Sequence, residues 1–278
     1  MHEKGVLYLC ATPIGNLKDI SLRCLETLQS VDLIAAEDTR QTIKLLNHYQ
    51  IHTPMTSYYE HNKQEKGGYL LELLLAGKRI ALVSDAGTPA ISDPGEDLVR
   101  KCTEHGITVT AVPGAVAGIC ALISSGMATG RFCFEGFLSV NKRQRRQHLD
   151  DIRHEKRTML FYEAPHKLRA TLHDLYETLG DRQICVAREL TKRYEEITKM
   201  MLSEAIQKYE AVTPRGEFVL VIEGDSADKN SKIDDSLSIA EHVKRYMDAG
   251  MSEMDAMKAA AKDRGIRKNE IYAELKKK

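Results

Sequence analysis

The stretch Ser84-Asp85-Ala86-Gly87-Thr88-Pro89-Ala90-Ile91-Ser92-Asp93-Pro94-Gly95 sets two carboxylates, two glycines and two prolines directly after the apolar run 79–83. Glycine lets the backbone turn sharply and approach a ligand, and proline fixes the turn, so such a loop presents N–H and C=O groups at close range. Two other loops have the same character: Thr12-Pro13-Ile14-Gly15-Asn16-Leu17 after the run 6–11, and Pro113-Gly114-Ala115-Val116-Ala117 after 107–112. Each alone is ordinary strand-to-helix turn chemistry. Three of them at one sheet edge favour a ligand. Charged groups also follow apolar runs, in Glu37-Asp38-Thr39-Arg40, in Glu163-Ala164-Pro165-His166-Lys167 and in Arg188-Glu189-Leu190-Thr191-Lys192. The first reads equally as a capped helix start with a salt bridge, and the other two as solvated helix N-termini. At the carboxyl ends of their strands the latter two are also placed to share a cleft with the glycine loops.

Spacing excludes the common alternatives. The chain has no G-x-G-x-x-G, no G-x-x-x-x-G-K-[ST] and no H-E-x-x-H, so dinucleotide and polyphosphate cradles and that zinc-helix pattern lose support. The six cysteines, at 10, 24, 102, 120, 133 and 185, never approach C-x-x-C spacing. They read as reduced thiols of a cytoplasmic protein. The ten histidines are scattered, and none is read as a metal ligand.

The elements that must carry these loops are legible in the hydrophobic pattern. Strands are predicted over 6–11, 33–36, 79–83 and 107–112, with helices on the Leu22, Leu25, Leu28 stripe and over 66–76 and 95–105. This alternation implies a mainly parallel sheet covered on both faces. A second set follows, with strands over 157–162, 183–187 and 217–222 and helices over 167–179 and 204–210. Residues 105–130 lack Asp, Glu, Lys and Arg, but Pro113-Gly114 and Ser124-Ser125-Gly126 break them into a strand, a turn and a helix rather than a membrane span. After Gly224 a polar linker leads to three short helices over 238–249, 252–264 and 268–275, helix-turn-helix-like in outline. The expected division is 1–120, 121–226 and 227–278, with the first break between about 116 and 131. With 40 basic and 40 acidic side chains in 278 residues, any affinity for nucleic acid must come from local patches.

Taken together and in order, ATPIGNL, AAEDTR, SDAGTPAISDPG, VPGAVA, FYEAPHKL, ARELTK and RGEFVLVIEG resemble the tetrapyrrole methylase superfamily. Within it the likeness is to the branch that methylates a cytidine ribose 2′-oxygen in small-subunit ribosomal RNA. It covers residues 5–224, and the tail resembles that branch's helical extension. The resemblance implies two α/β/α domains with mainly parallel or mixed sheets, a cleft between them for S-adenosylmethionine, and a homodimer. Carried over by position, Ser84, Asp85, Ala86 and Gly87 would meet the methionine part of the cofactor, with Pro13, Ala115 and Val116 beside them. Tyr162, Glu163, Ala187, Arg188, Gly216, Glu217 and Phe218 would form the adenosine pocket, largely through backbone groups.

A ribose hydroxyl is a poor nucleophile, so a base beside it would help. Glu189, Asp38 and Lys192 are the candidates, the lysine only if desolvation lowers its pKa. RNA contact is expected from Lys142, Arg143, Arg145 and Arg146, and from the basic tail residues Lys258, Lys262, Arg264, Arg267, Lys268 and 276–278. A solvated helix face accounts for either cluster equally. Two other readings stay open: a methyltransferase of the same superfamily acting on a tetrapyrrole or diphthine-type substrate, and a non-enzymatic RNA-binding assembly factor. The basic clusters argue against the first and the intact loops against the second.

Overall fold

Short runs rich in branched side chains, separated by amphipathic helices, lay down parallel strands, because each connection must cross back over the sheet. In the computed structural model, which describes residues 4–225, 237–248, 250–264 and 266–275, the first such set forms one sheet. Its strands are β1 (Val6–Cys10), β2 (Leu33–Ala36), β3 (Met55–Ser57), β4 (Ile80–Val83) and β5 (Thr108–Val112). All pair in parallel, in the order β3-β2-β4-β1-β5. Alternate residues of a strand enter opposite cores. Cys10 and Ile34 join Cys24, Leu28 and Leu46 on the face covered by α1 (Leu22–Ser30) and α2 (Thr39–His48). Leu7 and Ala35 join Leu70, Leu74 and Leu98 on the face covered by α3 (Lys63–Leu75) and α4 (Gly95–Glu104).

The second sheet is mixed. Its strands β6 (Phe132–Gly136), β7 (Thr158–Glu163), β8 (Gln183–Arg188), β9 (Glu196–Met201) and β10 (Phe218–Ile222) lie in the order β6-β7-β10-β8-β9. Only β6 and β7 are parallel. Met159 and Phe161 of β7 face a core built with α6 (Lys142–Ile152), α7 (Leu168–Leu179) and α8 (Leu202–Ala211). Leu160 and Tyr162, on the other face, pack with Ala121 and Leu122 of α5 (Ala117–Ser124). That helix spans position 120, so a division there would cut a helix whose apolar face belongs to the second sheet.

Strands β3, β6 and β9 are not among the elements expected from the pattern, and helices α2 and α6 agree with the helical alternatives offered for the charged groups at 37–40 and 142–146. The tail, from Asp225 onward, is a separate compact unit. Its helices α9 (Ile239–Asp248), α10 (Glu253–Arg264) and α11 (Lys268–Leu275) close around Val243, Ala256, Met257, Ala260 and Ile271. The expected linker over 226–236, the break at Gly265 and the terminal lysines 276–278 lie outside the described residues. Among the described residues, no helix is long and apolar enough to cross a membrane.

Candidate active site

The three glycine- and proline-rich loops leave the carboxyl ends of β1, β4 and β5, which neighbour one another in the sheet, and they are bonded together. Thr12 N–H donates to the Gly87 carbonyl at 2.9 Å, and Gly87 N–H returns a bond to the Thr12 carbonyl at 3.1 Å. Thr88 Oγ1 donates to the Ala115 carbonyl at 3.0 Å. Gly87 has φ +82°, and a Cβ on it would lie 3.1 Å from Ile14 and 3.2 Å from the Ala115 oxygen. Ala90 and Ser92 also sit in the left-handed region, at φ +66° and +62°. Non-glycine residues held there mark a backbone fixed by its surroundings, a common feature of ligand sites.

The second sheet supplies the opposite wall. The Tyr162 hydroxyl accepts the Gly118 N–H at 3.0 Å, tying β7 to the start of α5. Glu163, 4% exposed, accepts the Ala164 N–H at 2.8 Å and the hydroxyl of Thr171. Thr171 in turn accepts from Arg145 Nη2 at 2.9 Å. In the next loop Glu189 and Thr191 have φ +50° and +64°. Glu189 Oε1 accepts the Glu217 N–H at 3.0 Å and the Lys192 ammonium at 2.8 Å.

Between the walls lies a cavity of about 400 Å³. Of the residues expected to bind a cofactor, Ser84, Asp85, Ala86, Gly87, Val116, Tyr162, Glu163, Ala187, Glu217 and Phe218 line it. Pro13, Ala115, Arg188 and Gly216 do not. Pro13 lines an adjoining pocket that also touches Ser84 and Asp85. Arg188 turns away, donating to the Arg215 carbonyl at 2.7 Å. Lining residues to which the sequence reading gave no binding role include Glu37, Thr88, Ser92, Asp93, Ala117 and Phe137. The three of these within the 84–95 stretch carried a signal in its turn chemistry. Phe137 carried none, because β6 itself was not legible.

The lining is acidic. Glu37, Asp85, Asp93, Glu163 and Glu217 contribute carboxylates, and among the described residues no Lys, Arg or His lines the cavity. Burial, reinforced by the nearby Asp85, raises the pKa of Glu37. Desolvation likewise raises that of Asp85.

None of the three expected base candidates lines this cavity, and each is held in an ion pair. Asp38 caps α2 and chelates Arg40, with bonds of 2.8 Å to its N–H, 3.0 Å to Nε and 2.8 Å to Nη2. The Arg40 side chain holds its carboxyl down at about 2. Desolvation pushes the Glu189 carboxyl up, but the Lys192 ammonium and the Glu217 N–H outweigh it and leave the pKa lowered. Desolvation pulls Lys192 down, and its bonds to Glu189 and Glu217 outweigh that too, so its pKa is raised. A lysine held protonated cannot take a proton.

The charged cluster begins α6, which Asn141 caps by accepting from Arg143 N–H at 3.0 Å and Gln144 N–H at 3.2 Å. Lys142, Arg143 and Arg146 are exposed. Arg145 differs from the expectation: its Nε donates to Asp174 at 2.6 Å, and it braces α6 against α7.

The profile of the Tetrapyrrole (Corrin/Porphyrin) Methylases matches residues 6–206. A Halalkalibacterium halodurans protein named Ribosomal RNA small subunit methyltransferase I is 48% identical over 272 residues, 97% of this chain and 94% of its own. A Synechocystis protein of the same name is 49% identical over 269 residues, 96% of each chain. Among solved structures, Thermus thermophilus uroporphyrin-III C-methyltransferase, crystallised with S-adenosyl homocysteine, superposes with a TM-score of 0.57 at 17% identity. That match covers 79% of this chain and 97% of the other, and it concerns the fold.

Proposed function

The chain belongs to the tetrapyrrole methylase family, and on that premise we propose that it methylates the 2′-oxygen of a cytidine ribose in small-subunit ribosomal RNA, using S-adenosylmethionine. The observation that carries the cofactor is the acidic lining. Five carboxylates without a cation repel a polyphosphate but complement a ligand bearing a sulfonium and an ammonium. The volume, about 400 Å³, lies in the range of small-molecule pockets, roughly 300 to 1,000 Å³. The relatives' names supply the class of acceptor, small-subunit ribosomal RNA, and the cytidine 2′-oxygen is taken from the motif resemblance.

In this reading Ser84, Asp85, Ala86, Gly87 and Val116 hold the methionine end, with Pro13 and Ala115 supporting their loops from behind. Tyr162, Glu163, Ala187, Glu217 and Phe218 enclose the adenosine end, while Arg188 and Gly216 shape the turns beside it. The bound cofactor supplies an electrophilic methyl group on a positively charged sulfur. The chain contributes placement: two walls, each pinned by backbone bonds, fix donor and acceptor in a shared frame and so raise their effective concentration.

RNA contact is assigned to Lys142, Arg143 and Arg146 and to the basic tail. The protein acts in the cytoplasm on small subunits or their precursors, as a homodimer. Exposed apolar side chains support the pairing, with Ile123 at 69% and Val140 at 78% exposure.

Calorimetry with S-adenosylmethionine, followed by mapping of 2′-O-methyl groups on small-subunit RNA from cells lacking the protein, tests this. Binding at one site per chain and loss of a single cytidine methyl are expected. Absence of cofactor binding would leave only the assembly-factor reading, and an unchanged methyl map would point to the tetrapyrrole or diphthine-type acceptor.

A further inference from the structure

We propose that Glu37 is the group that takes the proton from the acceptor hydroxyl, an assignment that rests on the methyl-transfer reading above. Glu37 directly follows β2, beside the end of β4, because the parallel register pairs Ala36 with Val83. Its side chain lines the same cavity as Asp85 and Tyr162. What separates it from the other carboxylates there is that it is the most weakly held. Glu163 is filled by the Ala164 N–H and the Thr171 hydroxyl. Asp93 accepts the Gly95 N–H at 2.7 Å on one oxygen and the Ile91 N–H at 3.4 Å on the other. Asp85 anchors the Asp38 N–H at 2.9 Å. Glu217 is held by Lys192 at 3.1 Å.

Glu37 has only a long bond, 3.4 Å, from the Asp85 N–H to Oε2, and among the described residues nothing donates to Oε1. A carboxylate whose lone pairs are not already used is the one that can accept a further proton. Its surroundings also raise its basicity. Burial acts first, and Asp85, Asp93 and Asp38 add like charge. In the adjoining cavity that Glu37 also lines, Lys63 of α3 is the one cation among the described residues, and it is paired with Glu60 and Asp97 at 2.7 and 2.8 Å. Glu96 of α4 faces the same space.

The step balances without any further reactant. The ribose 2′-oxygen forms its bond to the methyl carbon as the carbon–sulfur bond breaks, and that bond's electron pair stays on sulfur. The hydroxyl proton passes to a Glu37 carboxylate oxygen and from there to solvent. Because the conjugate base does the work, the rate rises with pH through the Glu37 pKa, which lies above the ordinary 4.5.

The test compares the wild-type chain with Glu37→Gln and Glu37→Asp, using small ribosomal subunits in single turnover from pH 5 to 9 and calorimetry with S-adenosylmethionine. General-base loss predicts that Glu37→Gln is slower by roughly 100-fold or more and loses the acid-side inflection. Its cofactor affinity should fall far less than its rate, because the other four carboxylates of the lining remain. Glu37→Asp should be slower yet keep the inflection. If wild type methylates the subunits and Glu37→Gln matches it, the assignment of Glu37 fails while the function stands. If Glu37→Gln no longer binds the cofactor, Glu37 is a binding group and not the base. If wild type binds the cofactor but methylates no subunit RNA at any pH, the function itself falls and the assignment with it.

Discussion

The hydroxyl of Tyr162 accepts the backbone N–H of Gly118 at 3.0 Å, so one wall of the cavity is bonded to the first turn of the helix that follows the other. A helix N-terminus leaves its first N–H groups without partners inside the helix, and this bond satisfies one of them. Tyr162→Phe removes it while keeping the edge-on contacts with Phe134 and Phe137, at 5.0 and 5.6 Å between ring centroids. The expected loss is about 1 kcal/mol, seen as a lower denaturation midpoint at unchanged slope. Gly118→Ala should be mild, since its Cβ would meet the Tyr162 oxygen at 3.4 Å. If the phenylalanine variant unfolds at the wild-type midpoint, the bond contributes nothing.

Thr171 bridges Glu163 and Arg145. Its hydroxyl donates to the buried Glu163 carboxylate and accepts from Arg145. Thr171→Val keeps the shape and strips both bonds, leaving a 4%-exposed carboxylate with one donor fewer. Because a bond to a charged group is lost, a cost of about 2–3 kcal/mol is expected. Glu163→Gln in the valine background should recover part of it, by removing the charge that suffers. Double-mutant analysis of denaturation midpoints measures that coupling, and strict additivity would refute it.

Much of this architecture is visible in the chain because buried parallel strands are continuous apolar runs. All four residues of Ile80–Val83 are buried, and so they stand out. Strand β9 does not, since it is an edge strand that alternates half-buried and exposed residues and carries Glu196 and Lys199. β6 is likewise an edge, with Phe132 and Phe134 exposed. The first cavity wall was legible for a local reason, the turn chemistry packed into one stretch. Glu37 was hidden for a non-local one. Its neighbour Asp38 explains itself as a helix cap, and only the register of β2 on β4 sets Glu37 beside Asp85. Arg145 is a similar case: its partner Asp174 lies 29 positions further on, which no charge pattern within α6 reveals.

Gly216 is fixed by conformation and by space together. At φ +87° its added Cβ would fall 2.5 to 2.6 Å from the Glu189 side chain. Gly126, at φ +68°, has nothing within 4 Å and isolates the backbone part. Gly126→Ala should therefore cost about 1 kcal/mol, and Gly216→Ala more, by the displacement of Glu189 and its ion pair with Lys192. Pairing Gly216→Ala with Glu189→Ala should relieve the excess and leave the backbone part. Equal losses in the two single glycine variants would show that Glu189 moves aside freely.

The proposed RNA contact predicts different behaviour for the exposed members of the α6 cluster and for the braced one. Arg143 and Arg146 face solvent, whereas Arg145 holds Asp174 and Thr171. Arg143→Glu with Arg146→Glu should weaken binding to small subunits and leave S-adenosylmethionine affinity unchanged. Each lost phosphate contact lowers the slope of log affinity against log salt by roughly 0.7 to 0.9. Two lost contacts thus predict a slope smaller by about 1.5. Arg145→Gln should do the reverse: the salt slope stays near wild type, while stability and cofactor affinity fall because Thr171 and then Glu163 lose their fixed positions. Filter binding across a salt series, with calorimetry alongside, reads both quantities. A salt slope that drops for Arg145→Gln but not for the double glutamate variant would invert these roles.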